Sequence, residues 1–274
     1  MTKDWMAPWA SGEHCRLWPG SVPLLVSLPH DGSEIAPELA PRMQEAALAS
    51  PDTDWHVARL YDFARELGAY VLRPRWSRYV IDLNRPPDGA ALYPGRRETG
   101  LCPTQRFDGG AVYLPGAEPD AAEIAERVEH YWWPYHQTLR ETVLALRAEH
   151  GHVLLWEGHS IRSHSPMFFD GRLPDYNLGT ADGHSCAPAV QEAIARALAD
   201  HGANHVINGR FKGGYITRHY GQPPHGVHAV QMEMAQSAYL DEREPERYEP
   251  ALAREAQALL RTLLQASLAA LPAR

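Results

Sequence analysis

The chain is poor in the features that define several protein classes. Its three cysteines, Cys15, Cys102 and Cys186, are odd in number and far apart, which argues against a disulfide framework or a cysteine-based zinc site. No stretch approaches the roughly 20 apolar residues that a membrane-spanning helix needs. The N-terminal residues also lack the basic-then-apolar pattern of a signal peptide. We therefore expect a cytoplasmic protein that makes no use of a membrane.

The charge balance argues against nucleic acid as a partner. The 274 residues carry a formal net charge of -8 at pH 7, and Lys and Arg do not cluster as phosphate contacts require. The composition, 44% hydrophobic and 22% charged, is that of an ordinary globular protein, and the length suffices for one large domain. We expect a single domain over residues 1–274 that acts on a small molecule, in an oligomeric state that the sequence does not indicate.

Short apolar runs alternate with longer helical patterns along the chain. The predicted strands are the run from Leu24 to the turn at Pro29 and residues 69–73, 77–83, 152–160, 204–208 and 228–234. The predicted helices are residues 55–67, 120–150 with a kink or break at Pro134, 188–200 and 250–271. This alternation predicts an α/β three-layer sandwich, in which helices flank a mixed, mostly parallel sheet.

Four stretches show no helical or strand period. Residues 1–20 are predicted to form a loop or arm, residues 86–117 and 165–183 functional loops, and residues 210–221 a glycine-turned hairpin or clamp. Long loops of this kind often cover binding sites. We therefore expect these loops to lie near the functional site.

Polar residues end three of the predicted strands. His30 and His159 each follow an apolar run, and Glu233 lies inside another. Ligands bind at the carboxyl ends of strands in open α/β sheets, and two histidines with one carboxylate form the ligand set of many catalytic zinc sites. Asp54, before a predicted helix, and Glu34, four residues after His30, are the alternative acidic ligands.

Other polar residues suggest anion binding near the same edge. Asn84 and Arg85 follow a predicted strand and could grip a carboxylate, with Asp82 holding the guanidinium group. Arg210 and Arg218 flank a glycine pair and could form a second anion clamp. The hydroxyl group of Tyr215 could point into this clamp, and Glu157, two residues before His159, could orient that imidazole.

Six sequence blocks, in order, resemble the N-formylglutamate amidohydrolase (N-formylglutamate deformylase) family. They are PHDGSEIAPEL (29–39), SRYVIDLNRPPDG (77–89), TGLCPTQRFDGG (99–110), EGHSIRSHSPMFFDGRLPDYNLGT (157–180), NGRFKGGYITRHYGQP (208–223) and HAVQMEMAQSAYLD (228–241). The resemblance implies a fold similar to zinc carboxypeptidases and aspartoacylases. It also implies hydrolysis of N-formyl-L-glutamate to formate and L-glutamate in histidine degradation, with one divalent metal ion, zinc.

The resemblance also implies roles for individual residues. These are His30 and His159 as metal ligands, Glu233 as the general base, and Asn84 and Arg85 as the pair that holds a substrate carboxylate. From the residues themselves we further expect Tyr215 and Arg218 to contact the substrate, and Arg162 or Arg85 to be the cation that stabilises the oxyanion. The His-x-x-Glu spacing of carboxypeptidase-like enzymes meets a serine at position 33, so that spacing is absent here. The resemblance favours Asp54 over Glu34 as the acidic ligand, because an Asp that opens the next helix recurs in the family whereas the position of Glu34 varies.

Two alternative functions stay open on the sequence. A related zinc deacylase or carboxypeptidase would act on another N-acyl amino acid and would differ mainly in the room at the acyl end. A non-catalytic protein that binds acidic amino acids would keep the arginines without turnover. The two histidines and Glu233 argue against the second alternative, because binding alone requires none of them.

Overall fold

The centre of the molecule is a seven-stranded sheet, seen in a computed structural model that describes residues 7–92, 95 and 97–272. The strands are β1 (Cys15–Trp18), β2 (Leu24–Ser27), β3 (Tyr70–Pro74), β4 (Val153–Ile161), β5 (Tyr176–Gly179), β6 (His205–Ile207) and β7 (Val227–Ala235). Their order across the sheet is β1-β3-β2-β4-β7-β5-β6. β3, β2, β4 and β7 are parallel, whereas β1 and β5 are antiparallel to their neighbours β3 and β7. The predicted mixed, mostly parallel sheet is confirmed.

Helices of very different length connect the strands. They are α1 (Glu45–Leu48), α2 (Val57–Leu60), α3 (Ala121–Arg127), α4 (Trp133–His150), α5 (Pro188–Asp200), α6 (Tyr215–Tyr220) and α7 (Pro250–Ala269). A π-helical turn, Val128–Trp132, joins α3 to α4. Pro134, the predicted kink or break, is the second residue of α4, which begins directly after this π-helical turn. Of the helices in the described part of the chain, none is long and apolar enough to cross a bilayer.

Apolar side chains on both faces of the sheet produce three layers. Every residue of β4 and β7 is buried, and successive side chains of a strand point to opposite faces. Leu154 and Trp156 pack in the same core as residues of α5 and α7. Val153 and Leu155 pack in the core on the other face, with residues of α4. This confirms the predicted three-layer α/β fold.

Residues 77–83 do not form the predicted strand. β1 pairs with β3 along the edge where such a strand would lie, with Cys15 opposite Pro74. The chain instead turns after β3, and the N–H of Val80 donates to the carbonyl oxygen of Ser77 (2.9 Å). All of residues 77–83 are buried, so their apolar character reflects burial of a turn and not pairing in the sheet.

Three further predictions differ from the structure. Residues 210–221 contain helix α6 and not a hairpin, and β1 and β5 lie inside stretches that were predicted to be irregular. Among its described residues, the stretch 86–117 contains no helix or strand, as predicted. Residues 1–6 of the predicted arm, residues 93, 94 and 96 of the predicted loop, and residues 273–274 of the predicted domain lie outside the described residues.

Candidate active site

The register of the strands brings polar residues from distant parts of the chain to one edge of the sheet. His159 on β4 pairs directly with Glu233 on β7. β2 is parallel to β4, with Ser27 opposite Glu157, so the turn after β2 carries His30 to the same edge. This carboxyl edge is where open α/β sheets bind their ligands.

Asp54 joins this group from the loop before α2. Its backbone N–H donates to the carbonyl oxygen of His30 (3.0 Å), and its Oδ2 atom accepts the backbone N–H of Ser160 (3.0 Å). His30, Asp54 and His159 are each no more than 4% exposed. Their ligand atoms all lie within 4.8 Å of one another. The structure thus places a carboxylate between the two histidines.

The spacing of these ligand atoms suits one tetrahedral metal ion. The Nδ1 atoms of His30 and His159 are 3.1 Å apart. The Oδ2 atom of Asp54 lies 3.0 Å from Nδ1 of His159 and 3.8 Å from Nδ1 of His30. Zinc bonds of about 2.0–2.1 Å place tetrahedral ligand atoms roughly 3.3 Å apart. The three residues therefore fit a divalent ion and leave one coordination position open.

Two further buried carboxylates determine which nitrogen of each histidine is protonated. Nε2 of His30 lies 2.7 Å from Oδ1 of Asp82, and Nε2 of His159 lies 2.6 Å from Oε1 of Glu157. An ionised carboxylate only accepts hydrogen bonds, so each Nε2 atom donates, and Nδ1 is the nitrogen at which the neutral imidazole can bind a metal ion. Carboxylates in this position orient metal-binding imidazoles and increase their basicity.

Asp82 has a different partner from the one the sequence predicts. The turn at residues 77–80 directs Asp82 to His30, whereas the guanidinium group of Arg85 donates to the carbonyl oxygen and the hydroxyl group of Thr99 (2.9 and 3.1 Å). Glu157 does contact His159, and its Oε2 atom also accepts hydrogen bonds from the backbone and the hydroxyl group of Thr217.

Burial and neighbouring charges shift the pKa values of the site. Burial alone would lower the pKa of His159, but the carboxylates of Glu157 and Asp54 raise it well above its ordinary value. Burial raises the pKa of Glu233 to about 8; the charge of Asp54 adds to the rise, and those of His159 and Arg78 oppose it. A carboxyl group with a pKa near neutrality is suited to accept and return a proton.

Glu34, the rival acidic ligand, lies apart from this group. Its Oε2 atom accepts a hydrogen bond from Nε of Arg75 (2.8 Å), and its side chain is 43% exposed. It is not part of the cluster that could hold a metal ion. The geometry therefore favours Asp54 as the acidic ligand.

A cavity opens over the histidines, and its lining includes three arginines. Arg78 lies beside the group that could hold a metal ion. Its Nη2 atom contacts Nδ1 of His30, and it lies 2.9 Å from Nε2 of His30 and 3.7 Å from Oδ2 of Asp82. Arg85 and Arg210 instead both contact the segment 97–99; Nη2 of Arg210 donates to the carbonyl oxygen of residue 97 (3.1 Å). The cavity thus has one cation next to the histidines and two that are held by a covering loop.

Three residues predicted to contact substrate do not line this cavity. Arg162 is exposed just beyond the end of β4, and Arg218 is exposed on α6, where its Nε atom donates to the carbonyl oxygen of Gly213 (2.8 Å). Tyr215 packs against Trp132 and His136 on another side of the molecule. The positions of Tyr215 and Arg218 follow from the helical conformation of residues 215–220, where the sequence predicted a hairpin.

Asn84 lines the cavity and is held by the start of α6. Its Oδ1 atom accepts the backbone N–H of Ile216 (2.9 Å), and its Nδ2 atom lies 3.2 Å from Nε2 of His159. A Cβ atom at position 214 would lie only 2.3 Å from this Nδ2 atom. Gly214 is therefore needed for the close approach of the Asn84 amide.

Several residues of the cavity were not predicted from the sequence. Arg78 and Gln231 are polar residues inside apolar runs. Glu233 was predicted from the same pattern, so this pattern could also have indicated Arg78 and Gln231. Gln231 accepts the backbone N–H of Gly214 (2.7 Å) and has its Nε2 atom 3.5 Å from Oε2 of Glu233. The lining phenylalanines Phe107, Phe168 and Phe211 come from loops or turns, where no periodicity indicates their direction.

Comparison with known proteins identifies the family of this chain. Residues 22–240 match the family model for N-formylglutamate amidohydrolase. The chain belongs to the N-formylglutamate amidohydrolase family. N-formylglutamate deformylases from Pseudomonas aeruginosa and Pseudomonas putida are 52% and 50% identical to it over 251 residues, which cover 91% of this chain and 94% of each relative.

A solved structure shows the same family fold. The crystal structure of N-formylglutamate amidohydrolase from Ralstonia eutropha superimposes with a TM-score of 0.78 at 25% identity, covering 92% of this chain and 97% of that one. Membership of the N-formylglutamate amidohydrolase family confirms the predicted enzyme class, a hydrolase that acts on amide bonds.

Proposed function

We propose that this chain is a metal-dependent N-formylglutamate deformylase that releases formate and L-glutamate. The observation that carries the proposal is the convergence of His30, His159 and Asp54 beside Glu233 in an arginine-lined cavity. Identity of 52% to an N-formylglutamate deformylase supports the substrate. The sheet is built from strands between residues 15 and 235, which supports one catalytic domain over residues 1–274.

In this proposal, Nδ1 of His30, Nδ1 of His159 and Oδ2 of Asp54 hold one divalent metal ion. Two neutral imidazoles and a carboxylate form a donor set that suits zinc. When bound, the ion supplies Lewis acidity, which polarises a carbonyl group and acidifies a water molecule. Asp82 and Glu157 keep the histidine lone pairs directed at the ion.

Glu233 serves as the general base and then as the general acid. It takes a proton from water as the oxygen attacks the formyl carbon, and it returns the proton to the nitrogen of the departing glutamate. Its burial supports this role, because a pKa raised to about 8 makes the carboxylate a better proton acceptor than an exposed glutamate.

Arg78 replaces Arg162 as the cation that stabilises the oxyanion. Its guanidinium group is buried and contacts His30, whereas Arg162 is exposed. A fixed cation in a buried site stabilises developing negative charge more strongly than one in water. Arg78 would therefore donate to the carbonyl oxygen of the formyl group as that oxygen gains charge.

Arg85, Asn84 and Arg210 bind the two carboxylates of the substrate. Arg85 and Arg210 line the cavity without contacting the histidines, and arginine pairs with carboxylates in a two-pronged geometry. Tyr215 acts indirectly, since its backbone N–H donates to the carbonyl oxygen of Asn84 (3.3 Å). Arg218 has no part in binding in this proposal. Two cations in an otherwise acidic chain suit a small dianion.

The cellular setting is also part of the proposal. We propose that the reaction belongs to histidine degradation, which the family resemblance of the sequence supports, and that it takes place in the cytoplasm. The place in histidine degradation is tested separately from the chemistry, by growth of a deletion strain on histidine as the carbon source. We expect no growth on histidine and normal growth on glutamate, whereas normal growth on both would exclude this role.

The function is tested by formate release from N-formyl-L-glutamate, with N-acetyl-L-glutamate and N-acetyl-L-aspartate alongside. The proposal predicts metal-dependent release from the formyl substrate in clear preference to the acetyl compounds. Preference for an acetyl compound would instead identify a related deacylase. Binding of glutamate without turnover of any substrate would identify a binding protein.

A further inference from the structure

We propose that Phe107 forms the wall that restricts the acyl group to formyl. The inference rests on the proposed function and specifies its selectivity. N-formylglutamate and N-acetylglutamate differ only by a methyl group on the acyl carbon, so selectivity between them depends on the space beside that carbon. The acyl carbon must lie next to the proposed metal ligands and Glu233, so the apolar residue nearest to them limits the size of the acyl group.

The position of Phe107 follows from its contact with Arg78. The guanidinium carbon of Arg78 lies 5.0 Å from the centre of the Phe107 ring, within the range of a cation–π interaction. The same guanidinium group reaches His30, with Nη2 2.9 Å from Nε2. Both Arg78 and Phe107 line the cavity. The ring therefore lies beside the cation nearest the metal-binding histidines, which is the acyl end.

Two other arginines of the cavity are held by loop residues. Arg85 donates to Thr99, and Arg210 donates to the carbonyl oxygens of residues 97 and 168. Their guanidinium groups suit the carboxylates of the glutamyl part. With the carboxylates at these two arginines and the acyl carbon at the histidines, Phe107 is the apolar side chain beside the acyl carbon, because its ring contacts Arg78 there.

The wall is held from several sides. The backbone N–H of Phe107 donates to Oδ2 of Asp52 (2.8 Å), which also accepts the hydroxyl group of Tyr79 (2.6 Å). The ring packs edge to face against Phe168, with centroids 4.8 Å apart. Both rings pack against the cluster that contains Ile161. Because interiors packed in this way resist displacement, the wall would not yield easily to an added methyl group.

The chain provides a matched control in Phe169. Four of its five phenylalanines pack around this cluster: Phe107, Phe168, Phe169 and Phe211. Phe169 packs against Phe211, with centroids 6.1 Å apart, but it does not line the cavity. Replacing Phe169 removes a similar ring from the same cluster without enlarging the acyl end.

The test compares kcat/KM for N-acetyl-L-glutamate and N-formyl-L-glutamate in the wild-type holoenzyme, Phe107→Ala and Phe169→Ala. We expect the acetyl-to-formyl ratio to rise about 10- to 200-fold in Phe107→Ala, the range for one methyl group in an apolar pocket. In Phe169→Ala the ratio should stay at the wild-type value. Phe107→Leu removes less side-chain volume and should raise the ratio by a smaller factor. This variant also provides the test if Phe107→Ala does not fold.

Two outcomes would overturn the proposal while the deformylase function stands. One is an unchanged ratio in folded Phe107→Ala and Phe107→Leu that still hydrolyse the formyl substrate. The other is an equal loss of both activities, which would make Phe107 a support for Arg78 and not a selectivity wall. Failure of the proposed function is distinguishable, because the wild-type enzyme would then release no formate.

Discussion

His30 and His159 face each other through their Nδ1 atoms, which are 3.1 Å apart, while the Nε2 atom of each contacts a buried carboxylate. Two lone pairs therefore point at the same place, and Asp54 adds a carboxylate oxygen there. A divalent cation stabilises such a group of acceptors, and the guanidinium group of Arg78 also contacts Nδ1 of His30. This relationship supports a metal site more directly than the presence of any one of the residues.

The choice of acidic ligand can be tested with two matched variants. Asp54→Asn should lose tight zinc binding, because Asp54 supplies an oxygen within 3.8 Å of both imidazoles. Glu34→Gln should bind zinc like the wild type, since Glu34 pairs with Arg75 on the surface. Zinc per chain after dialysis, measured by mass spectrometry, distinguishes the two. The reverse result would make Glu34 the ligand.

Glu157→Gln should weaken metal binding although Glu157 is not a ligand. The oxygen of the new amide is needed by the backbone N–H of Thr217, so the amide NH₂ group would face Nε2 of His159. The proton of His159 would then move to Nδ1 and compete with the metal ion. We expect about 10- to 100-fold weaker zinc binding, measured by competition with a chelator. An unchanged affinity would show that Glu157 does not determine the tautomer.

Glu233→Gln should remove the proton acceptor and leave the metal-binding group in place. We expect kcat for formate release to fall by about 10²- to 10⁴-fold, with the zinc content and the thermal unfolding temperature close to the wild-type values. Loss of the metal ion in this variant would instead give Glu233 a ligand role.

Arg85→Ala should raise KM for N-formyl-L-glutamate. A hydrogen bond to a charged group contributes about 1.5–3 kcal/mol, which corresponds to about a 10- to 150-fold change. Arg218→Ala is the control, because Arg218 is exposed and outside the cavity. Steady-state kinetics separate KM from kcat for both variants. An equal rise in KM in Arg218→Ala would show that Arg218 binds the substrate, as the sequence predicted.

His136 should make the stability of the fold depend on pH. Burial lowers its pKa to about 3, whereas the unfolded chain titrates near 6.5. Below pH 6.5 the unfolded state then binds more protons than the folded state. The free energy of unfolding therefore decreases as the pH is lowered, by about 2 kcal/mol from pH 6.5 to pH 5. Urea unfolding of wild type and His136→Gln at both pH values should show this extra loss in the wild type alone. Equal losses would contradict the prediction.

The sequence predicted the parts of the site that depend on local pattern. His30, His159 and Glu233 are polar residues at the ends of, or inside, buried strands, and parallel strands bring such residues to one edge whatever the loops do. The contact of Arg78 with His30 could not be predicted, because residues 77–83 have the composition of a strand. Only the pairing of β1 with β3 excludes that conformation.

The loop residues were harder to predict for a different reason. Phe107 and Arg210 belong to different loops, which meet over the cavity through contacts such as those of Arg210 with residues 97 and 168. No sequence period specifies such contacts between loops. Tyr215 and Arg218 were misplaced for a related reason, since two glycines before them suggested a hairpin where the chain forms a short helix.

Formate release by metal-stripped protein, followed as Zn²⁺ is added back, shows whether the group of His30, Asp54 and His159 works through a metal ion. We expect no release without metal and a linear rise that ends at one ion per chain. Asp54→Asn should not recover activity at the same zinc concentrations. Full activity in protein shown by mass spectrometry to contain no metal ion would exclude a metal-dependent deformylase.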